Sequence, residues 1–128
     1  MKQDRIYSML GLAMKAGKVV SGEFAVDKSI KDGSAWLVII ASDASDNTTK
    51  KFSNSCEFYE VQQYIYGTKE ELGRAIGRDM RSSLAITDEG FAKSLGKYLE
   101  PVPVHGYLQY VPKRFLLRIR DRPWNGVP

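Results

Sequence analysis

Apolar residues recur at three- and four-residue spacing in Ile6, Met9, Leu10, Ala13 and Met14, which predicts a first helix that Asp4 caps and Ala16-Gly17 stops. Val19-Val20 reads as a very short strand. The rest is organised around Ser21 to Asp43, SGEFAVDKSIKDGSAWLVIIASD. Ser21 is the predicted cap of a second helix, Gly22 and Glu23 open its first turn, and Phe24, Val26, Lys28 and Ile30 follow at helical spacings. Asp32-Gly33 breaks that helix. Ala35 to Ala41 is then continuously apolar, the pattern of a strand covered by helices on both faces, and predicts a central strand over 36–41.

Beyond Asp43, Ser45, Asp46, Asn47, Thr48 and Thr49 offer caps for a third helix ending near Cys56, with Phe52 and Cys56 on one face. Phe58 to Val61, with Tyr64 to Tyr66 beyond it, predicts a further short strand and its approach loop. Thr68-Lys69-Glu70-Glu71 has the spacing of a capping box, and Leu72, Ala75 and Ile76 supply the buried stripe of the helix it opens. Ser83 to Ile86 is the last strand. Thr87 or Asp88 caps a closing helix through Phe91, Leu95, Tyr98 and Leu99. Five helices and four strands thus alternate with short connections, the pattern of an α/β domain whose sheet lies between helical layers.

The 128 residues, 43% of them hydrophobic, suffice for one sizeable core. No apolar run approaches the ~18 residues of a membrane span. The polar N-terminus is not a convincing secretory signal, so a cytoplasmic protein without a membrane partner is expected. The single cysteine, Cys56, cannot form an internal disulfide and reads as a small buried residue on a helix. The net charge of +4 is unevenly placed: residues 1–100 hold 14 basic and 14 acidic residues, whereas 101–128 hold five basic residues and one acid, together with all five prolines. That shift puts a boundary at Glu100/Pro101, dividing a 1–100 domain from a basic, Pro-containing 101–128 extension.

Catalytic chemistry finds little support. There is no Cys/His cluster, no phosphate-binding glycine motif, and one histidine, His105, outside the compact part. Neither a metal nor a cofactor is expected. Gly17-Lys18 reads as a helix stop, Gly73 to Gly77 as small packing positions within a helix, and Asp43 and Asp46 as helix caps in preference to paired catalytic carboxylates. Two regions suit a polyanion. In the first, Lys15, Gly17, Lys18, Gly22 and Lys28 place cations around a helix N-terminus, whose free N–H groups attract anions. The second is the loop Ile86-Thr87-Asp88-Glu89-Gly90, which leaves a strand at the same sheet end if the strands run parallel. A merely solvated lysine surface is the alternative.

The strings LAMKAGKVVSGEFAVDKSIKDGSAWLVIIASD, TKEELGRAIG and SLAITDEGFAKSL resemble, in order and spacing over residues 3–99, the ribosomal protein family of kink-turn RNA binders of the L-seven-Ae and L-thirty-e type, including its small bacterial members. The resemblance implies a three-layer α/β/α sandwich with a small mixed four-stranded sheet and no enzymatic activity. It implies structured RNA, ribosomal in setting and sharply bent at tandem G·A pairs, as the partner, without DNA specificity. Gly22 and Lys28 match the family's recognition-helix glycine and lysine. Where L-seven-Ae members carry Asn-Glu to read guanine edges, this chain has Phe24-Ala25, which removes a hydrogen-bonding pair. Phe24 could instead stack on an unpaired base or pack into the core. Ile86 to Gly90, including Thr87, Asp88 and Glu89, matches the loop that in relatives packs on a flipped-out nucleotide, with Ile86 and Thr87 as the contacts. A protein-interaction module of the same fold is the alternative function. The extension 101–128 matches nothing in the family: it is a basic arm adding phosphate contacts, an arm for ribosomal contact or self-association, or a non-native remainder.

Overall fold

The computed structural model describes residues 2–99, so the 101–128 extension and the boundary before it lie outside the described residues. Nine elements follow in chain order: α1 (Lys2–Lys15), β1 (Val19–Ser21), α2 (Glu23–Lys31), β2 (Leu37–Ile40), α3 (Asp46–Tyr59), β3 (Gln62–Ile65), α4 (Lys69–Ala75), β4 (Ser83–Ile86) and α5 (Glu89–Gly96). The sheet order is β1-β4-β2-β3, with β2 and β3 parallel and β4 antiparallel to both β1 and β2. This is the α/β/α sandwich with a mixed four-stranded sheet. Its layers follow from the two-residue period of the strands. Leu37, Ile39, Leu84 and Ile86 turn toward α1, α4 and α5, in one cluster with Ile6, Leu10, Leu72 and Leu95. Val38, Ile40 and Ala85 turn the other way, onto Val26 and Ile30 of α2 and Phe52 and Cys56 of α3.

All four β2 residues are fully buried, and each such side chain contributes on the order of 1.5–3 kcal/mol relative to exposure. The α4 capping box forms in full: Thr68 Oγ1 accepts the Glu71 N–H at 3.1 Å, and Glu71 Oε1 accepts the Thr68 N–H at 3.1 Å. The same carboxylate oxygen accepts the Tyr7 hydroxyl at 3.0 Å, which ties α1 to α4 and, as the leading cause, holds the Glu71 carboxyl below its ordinary pKa.

Several boundaries differ from the pattern read along the chain. α1 begins at Lys2, so Asp4 lies inside its first turn and does not precede it. α3 continues to Tyr59, and Phe58 to Val61 is not a strand. Phe58 stays 77% exposed on the helix surface, Glu60 closes the helix in the left-handed region (φ 58°), and the Val61 N–H returns to the Cys56 carbonyl at 2.8 Å. β3 is the edge strand that follows, with Gln62 and Gln63 where apolar residues would have signalled it. Gly77 does not belong to the α4 interior: it stands beyond the Ile76 C-cap with φ 72°. Ser45 caps α3 and Asp88 caps α5, each through its side chain. Asp43 instead accepts the Lys69 N–H at the start of α4, at 2.8 Å.

Cys56 is fully enclosed, and burial pushes its thiol up to about 12. It should therefore resist alkylation under native conditions at pH 8 and react once the protein is unfolded in denaturant. Stoichiometric labelling of the folded protein, counted by thiol titration, would contradict this environment.

Candidate functional site

α2 owes its open end to a glycine. Gly22 takes φ 93° and ψ 150°, a conformation closed to most residues, and no side chain caps the helix at this position. The first turn closes through the Val26 N–H on the Gly22 carbonyl at 3.0 Å, so the amides of Glu23, Phe24 and Ala25 precede the first bond of the ladder. Ser21, expected as the cap, is the last residue of β1. Its hydroxyl accepts the Arg81 Nε–H at 3.1 Å instead. The end of α2 is thus a positive dipole terminus with unused donors. Glu23 is the one carboxylate in the first turn, and Lys51 of α3 draws it aside at 3.0 Å.

Sheet direction decides what surrounds that end. β1, β2 and β3 all finish there, and β4 starts there. The neighbouring loops are therefore 41–45, 66–68 and above all 76–82. In the last of these the Arg81 N–H bonds the Lys69 carbonyl at 3.0 Å and the Ser82 carbonyl accepts the Ala41 N–H at 2.9 Å. Arg81 is half-buried between the loop carbonyls and Ser21, while Arg78 and Asp79 are exposed and Met80 is 57% exposed. Phe24, on the outer face of α2, is 81% exposed, which removes the core-packing alternative. Lys28 stands one turn further along the same face, 68% exposed and only loosely paired with Asp32 at 3.8 Å.

The remaining candidates lie at the opposite pole. Ile86 pairs with Val19 and Leu37, at the start of β1 and of β2, and its side chain is fully buried. The Thr87 N–H bonds the Lys18 carbonyl at 2.9 Å, so Gly17, Lys18 and the 87–88 turn form one group, with Lys15 in the last turn of α1 beside them. From Lys18 to Gly22 the chain runs extended for about 13 Å. Ile86 to Gly90 therefore does not share a sheet end with the open terminus of α2, because β4 runs antiparallel to β1 and β2. Asp88 spends its carboxylate on the Phe91 N–H at 2.9 Å and Glu89 pairs with Lys93 at 3.4 Å, so this turn presents committed acids.

The structure thus places Gly22, Phe24 and Lys28 of the candidate set on α2, gives Ser21 a role other than the expected cap, and adds Met80 and Arg81, which the sequence did not single out. A signal for them existed in RDMRSS after Gly77, where two arginines flank a methionine between a helix stop and a strand. Among the described residues, no group of three or more His, Cys, Asp or Glu is placed to hold a metal, and no helix is long and apolar enough to cross a membrane.

The chain is 44% identical over 94 residues to the RNA-binding protein YlxQ of Bacillus subtilis (strain 168), covering 73% of this chain and 94% of that protein. Among solved structures, a protein of unknown function from Bacillus halodurans C is similar with a TM-score of 0.70 at 36% identity, covering 73% of this chain and 94% of that one. The Giardia lamblia 15.5kD RNA binding protein shares the fold with a TM-score of 0.66 at 21% identity, over 76% of this chain and 83% of its own. The family model described as ribosomal protein L7Ae/L30e/S12e/Gadd45 matches residues 4–96, and with these relatives it establishes that the chain belongs to that family.

Proposed function

We propose that this protein binds structured RNA at the open end of α2, with Lys28 and Arg81 meeting phosphates and the 76–82 loop forming the second wall. The observation that carries this reading is the uncapped N-terminus of α2 with Arg81 anchored to Ser21 beside it. Backbone amides and a dipole end lie beside Arg81 there without any competing side-chain cap, and Lys28, in the last turn of α2 on the Phe24 face, adds a second cation along the helix. The names of its relatives, RNA-binding protein YlxQ among them, support an RNA partner. The bent internal loop of a kink-turn is the target that best fits the site, because a groove between a helix end and a loop engages splayed nucleotides better than the flat side of a duplex. The setting is ribosomal and cytoplasmic, DNA is not preferred, and the protein acts by binding, with no reaction or cofactor of its own. The unit that binds is 1–100, and the 101–128 extension adds basic contacts to RNA, to the ribosome or to a second copy.

Mobility-shift titration of a kink-turn RNA against a continuous duplex of equal length and charge tests the proposal. The kink-turn should bind at least tenfold more tightly at moderate salt. Equal affinity for the two would reduce the site to a non-specific polyanion surface.

A further inference from the structure

The exposed ring of Phe24 is costly in water and has no packing role in the described fold. It borders a shallow recess of about 420 Å³ on the outer face of α2, lined by Phe24, Asp27, Lys28, Lys31 and Asp32. The charges of this recess cancel in pairs: Lys31 holds Asp27 at 2.9 Å and Lys28 faces Asp32 at 3.8 Å. Within the recess two cations offset by two anions leave no net charge, and of the two cations the loosely paired, exposed Lys28 is the one that can turn its ammonium outward to a phosphate. What remains is a largely apolar slot with an aromatic wall, at Phe24, and a movable alkyl stem, at Lys28, four residues along the helix. A flat, uncharged, π-faced group fits that slot.

Resting on the RNA-binding reading above, we propose that Phe24 takes an unstacked nucleobase of the bound RNA onto its ring, the stem of Lys28 closing the other side and the Lys28 ammonium reaching the adjoining phosphate. Recognition at this position then works by stacking, which every base can satisfy, and not by hydrogen bonds to a base edge. The slot therefore reads whether a nucleotide is unpaired, with little regard for which base it carries. Continuity with the open end of α2, two residues away, supplies the route by which one RNA strand reaches both.

The test uses the full chain and a kink-turn RNA carrying 2-aminopurine at each unpaired position in turn, with affinity and fluorescence read together. Wild type should quench the probe at one position on binding, and a change of the natural base at that position should alter affinity less than about threefold. Phe24→Ala should abolish the quench and weaken binding by about tenfold or more, the scale expected for losing one base–aromatic stack. Phe24→Trp should restore both. Because Phe24 is exposed, thermal melts of these variants should match wild type. If wild type binds the kink-turn and Phe24→Ala binds it equally, with the quench intact, the stacking proposal fails while the RNA-binding function stands. If wild type binds no structured RNA, both fail. If the free protein sediments as a dimer that Phe24→Ala dissociates, the ring covers a second copy and the stacking proposal is overturned.

Discussion

Gly73→Ala should lower stability by about 3 kcal/mol or more, the upper range for forcing atoms into packed structure. A Cβ at Gly73 would fall onto the Asp79 carbonyl oxygen, 2.6 Å from the Asp79 carbonyl carbon and 3.0 Å from the Arg78 carbonyl oxygen. These are backbone atoms, so no rotamer relieves the clash, and the loop itself must move. That loop is folded tightly onto α4 at this point: the Gly73 carbonyl accepts the Arg78 N–H at 2.8 Å and the Ile76 N–H at 3.1 Å. Displacing it also shifts Met80 and Arg81, the wall opposite Gly22. Urea denaturation should show the loss as a lower midpoint at unchanged slope. RNA titration at low temperature, where the variant remains folded, should show weaker binding as well. A midpoint equal to that of wild type would mean that residues 78–79 do not lie against α4 as described.

The second large effect concerns the cations along α2 and in the 76–82 loop. Lys28→Ala and Arg81→Ala should each weaken binding of a kink-turn RNA by about tenfold, the scale of one charge-assisted hydrogen bond. Each should also reduce the slope of log K against log salt by about one. Lys18→Ala removes an equal charge about 13 Å away along β1, at the other end of the sheet, and should leave the slope unchanged. Because Lys28 is exposed and only loosely paired, its removal should not alter the melting temperature. Arg81 also bonds Ser21 and the Met80 carbonyl, so its variant needs a melt alongside the titration. Loss of slope in Lys18→Ala with none in Lys28→Ala would move the interface to the opposite pole.

Much of this was legible along the chain. Ala35 to Ala41 announces a doubly covered strand because an apolar run that long is too costly in water on either face. The Thr68 and Glu71 spacing announces α4 because capping is local chemistry between residues three apart. β3 was misplaced for an equally local reason: Phe58 and Tyr59 have strand-forming side chains, yet they complete α3, while the edge strand is written partly in glutamines. An edge strand hydrogen-bonds on one side and borders solvent on the other, so its apolar signal is diluted.

By itself the sequence determined the alternation of elements, the two buried faces and the glycine that opens α2, all of them consequences of near-neighbour spacing and side-chain type, whereas the fold turned Phe24 outward where the sequence had left core packing open. Only the tertiary structure decided which loops stand beside that glycine. Hydrophobic period is identical for a strand read in either direction, so nothing in Ser83 to Ile86 says that β4 runs against β1 and β2. That reversal buries Ile86 at the far pole and brings Arg81 to Ser21, exchanging one wall of the site for another.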